Sequence, residues 1–358
     1  MQKSILLVTS EFPPGPGGIG THAFHLAKYL NEAGYAVEVL TEDREEYPDH
    51  KPMLFRVEYV PRNSRWGRAK FLMRTFIRIV RGPRVIMASG RKSLMATSVG
   101  LLLGKRLIGV LHGHELLMGS KVQRVLLGFM LRRFTHVVAV SAFSKSVSMP
   151  FLAGKDVVVI PNGIAIDERR KCEAKYIPSG SLKLLTVGTV SKRKGQHNVL
   201  KLLPEIIKQY PYVQYTIAGT IREPETIFPL VESLGLTAHV HVRGVVSNLV
   251  LERLYQDADI VIMLSENQPN GDVEGFGISI LEGNNFGVPA IGSLGCGIEQ
   301  AIENDFSGIL IDPHSSIELK YAIAEILKRY SEFSENSLVW ASRHSWKNLV
   351  EIYASLIE

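Results

Sequence analysis

Asn270-Gly-Asp-Val-Glu-Gly-Phe-Gly-Ile-Ser-Ile-Leu-Glu-Gly-Asn-Asn-Phe-Gly-Val-Pro289 is the stretch from which the rest of the chain is read. It reads as a glycine-broken loop running into a short helix. Glu274 stands at the helix entrance, where the positive end of the helix dipole favours a carboxylate. Glu282 follows two turns later, after an apolar run that should face a core. Gly275 and Gly277 let the backbone come close to a ligand and leave amide N–H groups free at a helix N-terminus, a ready anion site. One segment thus offers two carboxylates and a phosphate cradle. A plainer reading, a capped helix with one ordinary surface glutamate, stands beside it, because single motifs match by chance.

Composition sets the frame. At 358 residues the chain has room for two domains of ordinary size or one large one. A hydrophobic fraction of 46% beside 21% charged residues marks a folded globular protein, not a disordered one. The net charge of +6 favours a partner that carries phosphate: nucleotide, nucleic acid or anionic membrane. Cys172 and Cys296 stand in no metal-ligand spacing and give no disulfide framework, as fits a reducing compartment. The apolar run at Met1-Gln-Lys-Ser-Ile-Leu-Leu-Val8 is too short for a signal peptide. The longest apolar run, Leu94 to Leu103, is broken by Thr97 and Ser98 and falls short of the ~20 residues that span a bilayer. A cytoplasmic protein is expected.

Taken in order, Ile5-Leu-Leu-Val-Thr9 is a compact buried strand. It feeds the loop Ser10-Glu-Phe-Pro-Pro-Gly-Pro-Gly-Gly-Ile-Gly20, a helix from Thr21 to Asn31 and a second strand, Val37 to Thr41. Short strands alternating with helices imply a parallel sheet. The glycines do not spell the dinucleotide fingerprint G-x-G-x-x-G, and the loop is longer and proline-rich, which argues against a nicotinamide oxidoreductase. Gly17-Gly18 is either a ligand loop or a plain turn.

Trp66 to Gly82 reads as a basic amphipathic helix ended by Pro83. In projection Lys70, Arg74, Arg78 and Arg81 share one face, and Leu72, Phe76, Ile79 and Val80 the opposite one. Such a helix can lie on an anionic membrane, or be a domain helix with a solvated basic face. Nucleic acid is not expected, since no aromatic interleaving or binding signature accompanies the charge. Val85 to Ser89 and Leu107 to Leu111 are further strands, the second ending in His112-Gly-His-Glu115. Ligands of doubly wound sheets gather at the carboxyl ends of strands, so His112 and His114 stand where a site belongs. Strands ending near Ser141 and Ile160 close this half.

The polar, unpatterned run after Asn162-Gly163, which includes Cys172, reads as the inter-domain linker. A second series of alternating strands and helices follows, from Leu182 to Arg329. Within it, Val187-Gly-Thr-Val-Ser-Lys-Arg-Lys-Gly-Gln196 places Lys192, Arg193 and Lys194 just before a helix. Cations beside a helix N-terminus are electrostatically unfavourable. An anion bound among them, such as a diphosphate, would resolve the conflict; solvated loop charges are the alternative.

With these residues assembled, the chain resembles the GT-B-fold retaining glycosyltransferases of family 4, nearest the branch of phosphatidylinositol mannosyltransferases and bacterial cell-surface glycan enzymes. The resemblance covers nearly the whole length, in order. It runs through Phe12-Pro-Pro, Gly17-Gly-Ile-Gly-Thr-His22, His112-Gly-His-Glu115, Val140-Ser141, Ile160-Pro-Asn-Gly163, Arg193-Lys-Gly195, Asp272-Val-Glu-Gly-Phe-Gly-Ile278, the Glu274 and Glu282 pair, and Gly287-Val-Pro289. It implies two Rossmann-like β/α/β domains facing a central cleft, 1–163 on the acceptor side and 164–344 for the nucleotide sugar. The helix within 345–358 would pack back on the first.

By the same resemblance, Glu282 would hold the nucleotide ribose. Glu274 would bind the sugar ring, helped by the backbone N–H groups of Phe276, Gly277 and Ile278. Arg193 and Lys194 would neutralise the diphosphate, with the Gly17-Gly18 loop closing on it, and His112, ahead of His114, would contact the sugar near the reacting carbon. Gly188, Thr189, Gly244 and Gly275 complete the nucleotide-sugar set. The implied reaction is hexosyl transfer, with retention, from a UDP- or GDP-linked sugar to a glycan or lipid-linked acceptor. It would need no metal or other cofactor; composition places it in the cytoplasm, and the basic helix 66–82 adds the inner face of the membrane. Two positions depart from the family pattern: Gly188-Thr189 where Gly-Arg is usual, and Cys296-Gly-Ile-Glu-Gln300 where Gly-Gly-x-Pro-Glu is usual. The first keeps open an alternative, a catalytically silent paralogue that binds nucleotide and serves as a partner subunit.

Overall fold

A computed structural model describes residues 3–15, 17–43, 53–61, 65–166 and 179–358. By its contacts the chain divides into two compact units, Met1–Ala165 with Ser345–Glu358, and Ile166–His344. Most of the linker predicted after Gly163, with Cys172, lies outside the described residues.

Unit 1 holds strands β1 (Ser4–Thr9), β2 (Ala36–Asp43), β3 (Arg56–Pro61), β4 (Val85–Ser89), β5 (Arg106–Leu111), β6 (His136–Ala139) and β7 (Val157–Val159). Every pairing is parallel, in the order β3-β2-β1-β4-β5-β6-β7. Parallel neighbours need a crossover, and the helices among the described residues that supply one are α1 (Gly18–Glu32), α2 (Arg65–Arg81), α3 (Arg91–Thr97), α4 (Lys121–Leu131) and α5 (Ala142–Ser148). Strands covered on both faces read as continuous apolar runs, as Ile5-Leu-Leu-Val8 and Ile86-Met-Ala88, all buried, show. On one face Leu6, Val8, Ile86 and Ala88 share one core with Phe71 and Ile79 of α2, Leu94 of α3 and Leu127 and Leu131 of α4.

Unit 2 repeats the plan with β8 (Ser181–Val187), β9 (Tyr212–Ala218), β10 (Val240–Gly244), β11 (Ile260–Met263), β12 (Ala290–Ser293) and β13 (Gly308–Ile311). The order is β10-β9-β8-β11-β12-β13, again all parallel. Its helices are α6 (Gln196–Ile207), α7 (Phe228–Ser233), α8 (Asn248–Asp257), α9 (Ile278–Asn284), α10 (Ser316–Lys328) and α11 (Tyr330–Arg343). Strand order reverses between β1 and β4 in unit 1 and between β8 and β11 in unit 2. Crevices at such switch points are where doubly wound sheets bind ligands.

α2 corrects the sequence reading. The residues it buries are Gly67, Phe71, Thr75 and Ile79, one every fourth position. Thr75 can join the stripe because its hydroxyl donates to the Phe71 carbonyl at 2.8 Å and needs no water. Of the four residues grouped on the apolar face, only Ile79 is buried; Leu72, Phe76 and Val80 are each about half exposed, and Trp66 is 84% exposed. The basic row is not free either: Arg78 bridges Glu38 at 3.1 Å and Glu58 at 2.7 Å, and Arg74 lies 3.6 Å from Glu58. A hydropathy projection cannot see carboxylates on neighbouring strands that draw arginines toward the sheet.

The last helix, α12 (Trp346–Ile357), belongs to unit 1 and packs against α1. Trp346 is fully buried, stacked on His25 and Tyr29, and its backbone N–H donates to Ile164 at 3.2 Å. Gly163 makes room for it: a Cβ there would stand 2.9 Å from the indole. Trp346→Ala should therefore cost about 3–5 kcal/mol, the usual range for emptying a buried aromatic site. Urea unfolding checks this, and a loss below about 1 kcal/mol would mean that α12 is not part of the core.

Candidate active site

In unit 2 the site begins where β8 stops. Lys192–Lys194 form a single 3₁₀ turn, closed by Gly195 in the left-handed conformation. No side chain fits at Gly195, because a Cβ would lie 1.7 Å from the Leu264 carbonyl oxygen. The turn is thereby pinned to the end of β11, and Asn198 Nδ2 donates to the same carbonyl at 3.1 Å. From it Arg193 reaches Asp272 with Nε at 3.0 Å and Glu274 with Nη1, while Lys194 Nζ lies 2.9 Å from Glu274. Glu274 is only 7% exposed. Burial alone would raise its pKa, but Arg193 and Lys194, with the Phe276 backbone N–H, bring it down to about 2. It is an ionised anchor at neutral pH, not a proton carrier.

Two expectations change in form. α9 starts only at Ile278, with Gly277 as its N-cap at φ 96°, so Glu274 is not at a helix entrance. Two cations, rather than a helix dipole, hold its charge. Conversely, the electrostatic conflict of Lys192, Arg193 and Lys194 ahead of α6 is met for the latter two by carboxylates of the chain itself. The Glu274 loop is clamped from behind as well. The Gly297 N–H donates to the Glu274 carbonyl at 2.8 Å, and a Cβ on Gly297 would come within 2.1 Å of Gly275. This explains the glycine in Cys296-Gly-Ile-Glu-Gln300; Glu299 is exposed and accepts from the Gly295 N–H at 2.6 Å.

Gly188 lies against the Lys194 stem, where a Cβ would stand 3.2 Å from Lys194 Cε. Its N–H donates to Ala218, and the Gly219 N–H donates to Gly244, each at 2.8 Å. Gly188, Gly219 and Gly244 thus sit at the carboxyl ends of three adjacent strands, free of side chains. Thr189 is half-buried, and its carbonyl accepts from Gln196 Nε2 at 3.2 Å. Phe276 is buried beneath the loop, and Ile278 is half-buried. Glu282, on α9, accepts from the Tyr255 hydroxyl at 2.7 Å. Enclosure raises its pKa, with the Tyr255 hydrogen bond and Lys194 opposing the shift.

In unit 1, α1 begins at Gly18, three residues earlier than predicted. Gly17 is its N-cap, and no side chain caps the N-terminus. Its first N–H groups are therefore open donors. Gly17 has φ 151°, a backbone conformation that favours glycine, and a Cβ there would also press on the Glu11 carboxylate at 2.3 Å. His112 is buried, with Nε2 2.9 Å from Ser89 Oγ. Burial and neighbouring His22 lower its pKa to about 3, keeping it neutral. The Glu115 carboxylate accepts from the backbone N–H groups of His112 and Gly113 at 3.0 Å and locks the loop. His114 is half-buried. The His22 ring stands edge-on to His112 at 5.1 Å, and its Nε2 lies 3.0 Å from the Tyr353 hydroxyl on α12.

Sequence reasoning assigns no role to Asp272, Tyr255, His22 or Tyr353. Asp272 and His22 lie inside quoted motifs. Tyr255 and Tyr353 carry no signal, because an aromatic on a helix face reads as ordinary core.

Two family models match end to end: Glycosyltransferase Family 4 over residues 16–168 and Glycosyl transferases group 1 over 167–340. Among curated relatives, a GDP-mannose-dependent alpha-(1-6)-phosphatidylinositol monomannoside mannosyltransferase of Mycobacterium tuberculosis is 24% identical, covering 90% of this chain and 89% of its own. A phosphatidylinositol N-acetylglucosaminyltransferase component of Arabidopsis thaliana is 25% identical, over 86% of this chain and 71% of its own. Among solved structures, Anabaena HepE in complex with UDP and glucose superposes with a TM-score of 0.79 at 19% identity, covering 99% of both chains. Sucrose-phosphate synthase of Thermosynechococcus elongatus gives 0.80 at 18%, covering 99% and 98%. With two parallel sheets of the GT-B kind and both family models spanning them, the chain belongs to the family 4 glycosyltransferases and is a hexosyltransferase.

Proposed function

We propose that this hexosyltransferase takes its sugar from a UDP- or GDP-linked donor and transfers it, with retention, to a glycan or lipid-linked acceptor at an anionic membrane surface. The observation that carries the donor assignment is the buried Glu274 carboxylate held by Arg193 and Lys194 at the β8–β11 switch point. Arginine has five N–H donors and lysine three, so the carboxylates that orient these cations leave donors for a diphosphate. Arg193 and Lys194 then stabilise the charge that develops on the leaving diphosphate. Preorganised cations are effective there because they need not reorient during the reaction. Glu274 binds the sugar hydroxyls, with the Gly275, Phe276, Gly277 and Ile278 backbone beside it. Glu282 takes the ribose, and Gly188, Thr189 and Gly244 form the surface for the rest of the nucleotide.

From unit 1 we assign Gly17 and Gly18 to the diphosphate and neutral His112 to the sugar. Retention follows if the leaving phosphate itself accepts the acceptor's proton on the face it departs from. An ionised Glu274, held by Arg193 and Lys194, is unsuited to the acid–base role that carboxylates play in most glycosidases. The relatives support a nucleotide-sugar donor: the mycobacterial enzyme is named for GDP-mannose, and HepE was solved with UDP and glucose.

The membrane reading rests on unit 1. Among the described residues no helix is long and apolar enough to cross a membrane. Yet α2 turns Trp66, Met73, Phe76 and Val80 outward, with Arg68, Lys70 and Arg81 exposed. On α4, which shares its core, Val122, Val125, Leu126 and Phe129 are exposed. Apolar side chains flanked by cations suit an anionic interface.

Lys194→Ala should lower release of nucleoside diphosphate from UDP-glucose or GDP-mannose by about 10²–10³-fold, the usual effect of removing a group that stabilises transition-state charge. Turnover equal to wild type would contradict the assignment. Replacing Trp66 and Phe76 by Ser together should weaken binding to phosphatidylglycerol-containing vesicles about tenfold or more, given 1.5–3 kcal/mol per buried aromatic. Unchanged co-sedimentation would remove the membrane from the account.

A further inference from the structure

Tyr255 is 2% exposed, and its hydroxyl donates to Glu282 Oε2 at 2.7 Å. Three features fix that hydroxyl in place. The Tyr255 ring stacks on Phe286, with centroids 5.5 Å apart and planes at 17°. The other two come from Gly283, next to Glu282 on α9. A Cβ there would stand 2.5 Å from Val261 Cγ2, so glycine lets α9 settle onto β11; the same Cβ would be 3.6 Å from Tyr255 Cδ1, so this closeness also brings the helix down on the tyrosine. The glutamate and its donor are therefore held in register by packing.

A carboxylate has two oxygens and about four lone-pair positions. With one lone pair of Oε2 committed to Tyr255, the carboxylate plane is set, and Oε1 remains for a vicinal diol. The donation opposes the rise that enclosure imposes on the Glu282 pKa.

We propose that Tyr255 is the positioning residue for ribose recognition: its hydroxyl orients the Glu282 carboxylate so that the protein selects nucleotides carrying the 2′,3′-diol over those lacking it. The proposal rests on the assignment of Glu282 to the ribose. A site built around hydroxyl groups rejects analogues that lack them, because its polar groups are then left unpaired.

Calorimetric titration of UDP and GDP, each beside its 2′,3′-dideoxy counterpart, tests it. Wild type should prefer the ribonucleotide by roughly tenfold or more, and Glu282→Gln should abolish the preference. Tyr255→Phe, which keeps the ring and its stacking, should cut the preference at least about threefold while leaving dideoxynucleotide affinity within about twofold. Gly283→Ala, which lifts α9 from β11 without touching either polar group, should cut the preference in the same direction. If Tyr255→Phe weakens both nucleotides equally, the tyrosine is merely structural and the proposal fails. It fails too if Tyr255→Phe keeps the wild-type preference while Glu282→Gln loses it, and the ribose role of Glu282 then survives alone. Should Glu282→Gln retain the preference, the ribose assignment itself falls and the proposal with it. Unliganded melting curves accompany each variant; if Tyr255→Phe does not fold, Gly283→Ala decides.

Discussion

A carboxylate withdrawn from water must find positive charge, and Glu274 finds it twice, in Arg193 and Lys194. Removing one partner of such a buried group typically costs several kcal/mol, so the surrounding backbone is built to hold all three together. Gly195 brings the cationic turn against the end of β11, Gly297 brings the Cys296 turn against Gly275, and Gly188 leaves room for the lysine stem. At each of these glycines a methyl group would collide with, or press closely on, the cluster or its support. The parallel sheet brings β8 and β11 side by side, and their loops then have to meet in this way.

On the proposed reading, cations and anions of one chain prepare a site for an outside anion. Asp272 and Glu274 restrain long, flexible side chains whose remaining donors stay available. Less side-chain entropy is then lost when a ligand arrives. Glu282 follows a related principle with a neutral donor, since a buried tyrosine orients it. His112, in unit 1, is fixed through Ser89 at its ring and Glu115 at its backbone. In each case a second residue holds the group that would touch the ligand.

Much of this is legible in the chain. Alternating apolar runs and helical periods give two parallel-sheet units, because buried strands must be apolar on both faces. The strand ends at Gly188 and Leu111 point to the places where the cations and His112 stand. What escapes are relations between distant residues. Glu274 reads as a helix-dipole partner, since spacing cannot tell where a seven-residue helix begins. Leu72, Phe76 and Val80 read as one face with Ile79, since nothing in α2 alone reveals that Glu38 and Glu58 hold Arg78. The helix 330–343 is not predicted, and neither is strand 56–61, although Phe55, Val57 and Tyr59 alternate with Arg56 and Glu58 as a half-buried strand does.

The central claim is that Arg193 and Lys194 form a diphosphate site. Melting temperatures measured with UDP, GDP and ADP, and with uridine, guanosine, adenosine and NAD, test it most directly. At about 100 times its Kd a bound ligand adds ~2.7 kcal/mol to stability, a readily measured shift. The account predicts that at least one nucleoside diphosphate stabilises the protein while its parent nucleoside, at the same concentration, does not. Equal stabilisation by the nucleoside, or stabilisation by NAD alone, would contradict it.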